Sequence, residues 1–439
     1  LRPAHHFTYV LAGLVYTGRA LLAEAVLPRQ GRATATDLPQ RLAAARESWL
    51  CSSSYAPMGY ILSLLLYGRK IASETGSRLM ITWNREGTLL YFQGRPFAME
   101  TIRRMIRQMT TDAEDLLWDG LMFWPRVAEP AARLARRFLI PLAAIQDDLT
   151  QTQRGQSFVH ANGLAGRERE MLQNLIAGPF KTEFLDGQDE WKWPQVQQYL
   201  QKVKRFQELL LLLVHLTNHP LRGTEITGLR LVNGINRDRS LFVINGEVVL
   251  ISQYHKSLAH FDSPKVIPRI LPSRIGQLMV MYMIYIRPFT DRLQASYWAS
   301  VDKVYLPSDF IWHYTESPSS PWDSSQMSRA LAKWSQHYSG QRVTLQQWRH
   351  IAIAISRRHT RAKGASRADF DEAEGGGEEE AERYEDVEDL AAAHTGRTAA
   401  GYGVTIDILK QLTSESLEVF GQASRRWHRF LGCGDDEGL

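Results

Sequence analysis

Asn245-Gly246 lies between two runs with strand character, Ser240 to Ile244 and Glu247 to Gln253. No other short string in the chain restricts the backbone so tightly. A two-residue turn with φ above zero at both positions matches the right-handed twist of its flanking strands, which makes Asn-Gly the strongest short hairpin signal. Lys265 to Leu271 reads as a third strand, so an antiparallel meander is expected, with Lys256 at the tip between its second and third strands.

Around the meander the periodicity is helical. Apolar residues recur at three and four spacing over Asp37 to Trp49, Ala98 to Met122 and Glu129 to Ala144. A long helix from about Gln195 to Leu216 should end at Asn218-His219-Pro220, because proline and the residue before it leave the helical region. Further helices are expected over Gly276 to Arg287, Ser324 to Tyr338, Thr344 to Arg358 and Ser414 to Leu431. One more hairpin is predicted, with Arg78 to Trp83 and Thr88 to Phe92 joined through Asn84-Arg85-Glu86-Gly87. The expected class is mainly α with a small antiparallel β meander, an α+β fold.

At 439 residues the chain exceeds one compact core and suits two or three domains. Gly178-Pro179 marks the expected break: a helical part over 1–179 carrying the hairpin at about 78–92, a second domain over 180–432, and a short tail over 433–439. The two cysteines, Cys51 and Cys433, have no paired spacing, which excludes a disulfide framework and a cysteine zinc site and fits a reducing compartment. The longest apolar runs, Leu209 to Val214 and Gly276 to Ile286, fall short of the roughly 18 residues that span a bilayer, so no membrane segment is expected. Leu1 in place of Met, with no charged-then-apolar leader, points to a fragment without its true start.

The net charge of +5 conceals a segregation. Residues 181–364 hold 24 Lys and Arg against 14 Asp and Glu, whereas residues 365–390 hold 2 against 12 around Gly375-Gly376-Gly377. The basic segment has the balance of a phosphate-backbone binder, and the acidic one reads as a solvated mobile loop.

Within the basic segment, residues suited to phosphodiester chemistry fall in order. Arg222 and Glu225 stand three apart on a fresh turn after Pro220. Lys256 lies at the hairpin tip. Gln346 and Arg349 share a face near the start of a helix that Thr344 and Gln347 open in capping-box spacing, where the helix dipole favours an anion. His350 follows, and His394-Thr395-Gly396-Arg397-Thr398-Ala399-Ala400-Gly401-Tyr402 completes the order. Each residue alone has an ordinary structural role: an ion pair with Glu225, a solvated lysine, a surface arginine, a histidine bound to a carbonyl, a packed tyrosine. Together they supply what metal-free cleavage of a crowded anion needs: guanidinium forks, a proton donor for the leaving oxygen and a covalent nucleophile.

The strings Arg222-Gly223-Thr224-Glu225-Ile226-Thr227-Gly228-Leu229, the meander with Val266-Ile267-Pro268, Gln346-Gln347-Trp348-Arg349-His350 and His394 to Tyr402 carry a resemblance. The segment from about 181 to 432 resembles the catalytic domain of the tyrosine recombinases, the eukaryotic Crypton type in particular. The resemblance implies that Tyr402 attacks the scissile phosphorus to form a 3′-phosphotyrosyl link. It implies that Arg222 and Arg349 brace the non-bridging oxygens, that Lys256 protonates the leaving 5′-oxygen, and that His394 and Gln346 add hydrogen bonds. Glu225 would orient Arg222, with His350 in support. It implies no cofactor and no metal, double-stranded DNA as partner, a homodimer or tetramer on DNA with the final helix docked on a neighbour, and a nuclear location. The part before 180 would be the DNA-clamping domain. Three departures stand out: Gln346 occupies the usual histidine position, the stretch from Gln346 to His394 is long, and Tyr402 follows His394 by one residue fewer than the family pattern. An amide hydrogen-bonds phosphate but shuttles no proton. A recombinase fold kept only for DNA binding is therefore the alternative, and a type IB topoisomerase shares the chemistry.

Overall fold

Asn245 and Gly246 both take positive φ, 52° and 81°, which is the turn their sequence demands. They join β4 (Leu241–Ile244) to β5 (Glu247–Tyr254) in a computed structural model that describes residues 7–26, 38–50, 56–76, 81–123, 139–178, 180–234, 239–254, 265–315, 317–360 and 414–434. β6 (Lys265–Ile270) pairs antiparallel with β5, Tyr254 opposite Lys265 and Ile251 opposite Pro268. The order β4-β5-β6 leaves β6 at an edge, where a residue without an N–H is tolerated. The meander is thus present as expected, and Lys256 lies outside the described residues.

The chain forms two compact units, Leu1–Phe97 and Ala98–Leu439. In the first, α1 (Thr8–Val26), α2 (Leu38–Ala45) and α3 (Pro57–Gly76) precede a three-stranded antiparallel sheet of β1 (Ile81–Trp83), β2 (Leu89–Phe92) and β3 (Arg95–Ala98). The predicted turn closes the first hairpin: the Asn84 side chain accepts from Leu89 N at 2.9 Å and donates to Thr88 Oγ1 at 2.9 Å. The third strand was not predicted. α1 is 19 residues long and, by length and composition alone, apolar enough to cross a membrane, a test that leader sequences and core helices also pass. Arg19 and Glu24 interrupt its apolar run while its mean hydropathy stays high, so it does not show as an unbroken apolar stretch.

The second unit opens with α4 (Met99–Asp115), whose Met99, Ile102, Met105, Ile106, Met109 and Ala113 form a buried stripe. This stripe is the physical reason why the compact units divide at Phe97/Ala98, ahead of the break expected near Gly178: α4 packs on the central helix of the second unit. That helix, α8 (Trp193–Leu216), is preceded by the short α5 (Phe158–Ala161), α6 (Glu168–Ala177) and α7 (Lys181–Phe184). Along its second half, Phe206, Leu209, Leu210, Leu211, Leu212, Leu213 and Val214 are all buried, so every face is covered. A helix apolar all round belongs in the interior. α9 (Gly223–Thr227) follows Pro220.

After the meander, α10 (Ser273–Met281), a π turn (Tyr282–Ile286) and α11 (Arg287–Ser300) run as one long helical stretch, extending the predicted helix beyond Arg287. A small hairpin of β7 (His313–Tyr314) and β8 (Ser317–Pro321) leads to α12 (Ser324–Ser339), α13 (Leu345–His359) and α14 (Ser414–Leu431). The class is mostly helical with small antiparallel sheets. The acidic segment 365–390 and most of the helix predicted over Glu129 to Ala144 lie outside the described residues; of the latter, only Leu142–Ala144 is described as an element, a single 3-10 turn.

Candidate functional site

Pro220 breaks the chain after α8, and Arg222 opens the next turn in extended conformation with φ −71° and ψ 149°. Its main-chain N–H donates to Glu225 Oε2 at 3.2 Å, so the pair predicted at three spacing is joined through the backbone of the arginine. Gly223 then makes the closest approach in the site. A Cβ there would lie 2.5 Å from Ser324 Cβ and 2.9 Å from Leu345 Cδ2. The first arginine turn is thereby pressed against the start of both α12 and α13.

The start of α13 is fixed by the predicted reciprocal cap. Thr344 N donates to Gln347 Oε1 at 2.9 Å, and Gln347 N donates back to Thr344 Oγ1 at 3.4 Å. Trp348, Ile351, Ala352 and Ile355 are buried, as their spacing predicts. Locking that stripe into the core turns Gln346 and His350 to the exposed side and leaves Arg349 half-buried between the two. Burial and the neighbouring Arg349 guanidinium hold the His350 imidazole below its ordinary pKa.

Arg349 also acts on two deeper groups that sequence reasoning missed. Arg269, on β6, is 2 % exposed and donates from Nη1 to Ser252 Oγ on β5 at 2.5 Å. Burial pushes its guanidinium down to about 10; Glu225 supports the charged form and Arg349 opposes it. His215, in the last turn of α8, is fully buried, and neither ring nitrogen has a hydrogen-bond partner among the described residues. Burial, reinforced by Arg269 and Arg349, pushes its pKa down to about 3, so the ring is neutral at neutral pH. Burial likewise takes His219 to about 3, its ring 5.4 Å from that of Trp427.

Arg269 and His215 carried a signal in the sequence. Each is a polar residue inside an apolar run, Val266 to Leu271 and Leu209 to Leu216. A charge or imidazole at such a position costs several kcal/mol unless compensated, which marks it as retained for its neighbours. By period alone, both runs read as plain core.

The final helix, a candidate for docking on a neighbour, packs one face on its own sheet, where Ala423, Ser424, Trp427, His428 and Leu431 are buried. Trp427 Nε1 donates to Leu216 O at 3.1 Å, and Arg425 pairs with Glu247 of β5 at 3.0 Å. One cation of the predicted Arg425, Arg426 and Arg429 cluster is therefore engaged within the chain.

The described part of the site thus gathers Arg222, Glu225, Gln346, Arg349 and His350 on the touching elements α9 and α13, over Arg269 and His215. Its charge is mainly guanidinium, and such a cluster suits a phosphate oxygen bound by charge-assisted hydrogen bonds. Lys256, His394 and Tyr402 lie outside the described residues. No group of three or more His, Cys, Asp or Glu side chains suited to a metal ion occurs among the described residues. No protein-family model matches the chain, and no solved structure matches its fold.

Proposed function

We propose that this chain cleaves and rejoins DNA strands through a covalent 3′-phosphotyrosyl intermediate, as a site-specific recombinase of a mobile element would. The observation that carries the reading is the contact at Gly223, where the turn headed by Arg222 meets the helix that bears Gln346, Arg349 and His350. Two arginine motifs separated by more than a hundred residues in sequence share one neighbourhood, with a carboxylate beside them and buried basic groups beneath.

In this reading Arg222 and Arg349 grip the two non-bridging oxygens of the scissile phosphate and bind more strongly as charge builds in the transition state. The Tyr402 hydroxyl gives up its proton to water and its oxygen bonds to phosphorus; the bond from phosphorus to the 5′-oxygen breaks, and Lys256 donates a proton to that oxygen. Phenol ordinarily titrates near 10, so the arginines must favour the phenolate as the bond forms. Gln346, His350 and His394 supply further hydrogen bonds to phosphate, and Glu225 holds the Arg222 turn. The phosphotyrosyl ester keeps the energy of the broken bond, and attack by a 5′-hydroxyl reseals the strand. Double-stranded DNA is the partner, and exchange between two duplexes requires more than one copy of the chain.

A nicked duplex that loses its 5′-hydroxyl fragment after cleavage traps the covalent complex. Incubated with such duplexes carrying the ends of its own element, the protein should give a DNA adduct that Tyr402→Phe abolishes. An adduct that persists in the Phe variant would remove the assigned nucleophile. Saturable duplex binding without any adduct would leave a recombinase-like fold that only binds DNA, the outcome that Gln346 in place of histidine favours.

A further inference from the structure

The first half of α8 flanks a cavity of about 320 Å³, at the small end of the range of small-molecule sites. His215 marks the opposite end of the same helix, so at 1.5 Å per residue the cavity lies roughly 20 Å along its axis from the site above. Three elements wall it: α8, α11 and the β7–β8 hairpin.

The walls have a consistent chemistry. Trp193 of α8 and Tyr297 of α11 meet edge to face, with centroids 5.3 Å apart at 68°, and flat aromatic surface continues onto Trp298 and Trp322. Between the rings stand carboxamides. Gln294 is 5 % exposed, and its side chain makes no hydrogen bond to any described residue. Gln207, also buried, lines the cavity and donates from Nε2 to Tyr282 Oη at 2.7 Å, which fixes its amide. His313, 8 % exposed, has a buried Nδ1 with no hydrogen-bond partner among the described residues. Burial and Arg287 hold its ring pKa down to about 3, so it is neutral. The one cation of the lining, Lys204, is exposed and forms no ion pair with a described residue.

A buried polar atom without a partner, as His313 Nδ1 is among the described residues, is costly in an empty core and inexpensive beside a ligand that completes it. Aromatic faces offer stacking to any planar ring, amides offer paired donor and acceptor atoms to the edge of a nitrogen heterocycle, and an ammonium offers charge to a phosphate. We propose that this cavity is a nucleotide-binding site, in which a nucleobase lies among Trp193, Tyr297 and the neighbouring indoles, Gln294 and Gln207 read its edge, and Lys204 pairs with the phosphate. The site is independent of the strand-cleavage reading, since none of its residues belongs to that chemistry. The same nucleotide chemistry is presented by a free mononucleotide and by the 5′-phosphorylated end of a single strand.

The test uses the full chain, with tryptophan fluorescence and calorimetry as readouts. Adenosine, cytidine and guanosine monophosphates, ribose 5-phosphate, inorganic phosphate and a 5′-phosphorylated tetranucleotide are titrated in turn. At least one nucleoside monophosphate should quench fluorescence saturably and bind roughly tenfold or more tightly than ribose 5-phosphate, as expected when stacking and base-edge bonds are added. K204A should weaken the monophosphate by roughly tenfold while leaving the nucleoside nearly unchanged, as loss of a charge-assisted bond predicts. Q294L, which removes the carboxamide, should reduce discrimination among bases. Tighter binding of the tetranucleotide, with mutual displacement, identifies a strand end; equal or weaker binding identifies a free nucleotide. The proposal is overturned if no nucleotide binds saturably, or if binding is unchanged in K204A and in Q294L. Because Lys204 is exposed, the first variant keeps the test valid even where the second disturbs folding.

Discussion

Replacing Gly223 with alanine would add one methyl group at the tightest point of the candidate site. The glycine is not among those with positive φ, so the requirement is for space and not for a left-handed backbone. The new Cβ would stand 2.5 Å from Ser324 Cβ and 2.9 Å from Leu345 Cδ2. Carbon atoms in contact prefer about 3.5 to 4.0 Å, so α9 must withdraw from α12 and α13 by roughly 1 Å. Overpacking of this kind costs about 1–3 kcal/mol. The displacement also carries Arg222 away from Arg349, and a misplacement of about 1 Å lowers the rate of a positioned reaction by on the order of a hundredfold. Urea unfolding would report the first effect, and adduct formation on the nicked duplex the second. Gly223→Ala combined with Ser324→Gly removes the nearest clash and should recover most of both losses. A single Gly223→Ala variant with wild-type unfolding and cleavage would refute the claim that close packing here sets the geometry of the arginines.

Other outcomes follow from the same physical terms. Arg349→Ala should lower cleavage by on the order of a hundredfold or more while much duplex binding survives, as for a contact strengthened in the transition state; equal loss of both, by gel shift and adduct assay, would contradict that role. Asp147 accepts from Arg239 Nη1 at 3.1 Å and Nη2 at 2.6 Å, and each side chain is 1 % exposed. Asp147→Ala strands the guanidinium and should cost about 3–5 kcal/mol in chemical denaturation; a loss below about 1 kcal/mol would mean that the pair is solvated. The folded-state pKa of His215 lies at about 3, below its ordinary 6.5, so the unfolded chain takes up the proton first. Its contribution to stability is complete above pH 6.5 and drains as pH falls toward 3, by up to about 2 kcal/mol at pH 5. The fall in stability from pH 7 to pH 5 should therefore shrink by up to about 2 kcal/mol in His215→Phe, with His219 and His313 retaining the remainder, and an unchanged pH dependence would assign the acid sensitivity elsewhere.

What could be read in advance was whatever depends on local geometry. Asn245-Gly246 dictated a turn, Thr344 and Gln347 a helix start, and Trp348, Ile351, Ala352 and Ile355 an inward face; each has its expected place. Long-range contacts were not legible. Nothing in the wording around Trp427 shows that its indole donates to Leu216, so α14 looked like a free helix suited to a neighbour. Arg269 and His215 went unread for a related reason: inside an apolar strand and an apolar helix, period alone cannot separate a functional polar group from a core position. The β3 strand follows β2 across Gln93-Gly94, a turn with φ of 51° and 78°. At the site, order along the chain selected Arg222 and Arg349, while their proximity depends on a missing side chain at Gly223, a feature visible only in three dimensions.

The edge position of β6 has a consequence for handling the protein. Its outer side is blunted twice: Pro268 offers no N–H, and Ile270 N is taken by Ser424 Oγ of α14 at 3.4 Å. A strand so covered resists pairing with an identical strand from another molecule. Shortening the chain before Ser414 would strip away the helix and bare an apolar, half-unpaired ribbon. Such a truncation should yield insoluble, strand-rich aggregates in place of a smaller soluble catalytic fragment.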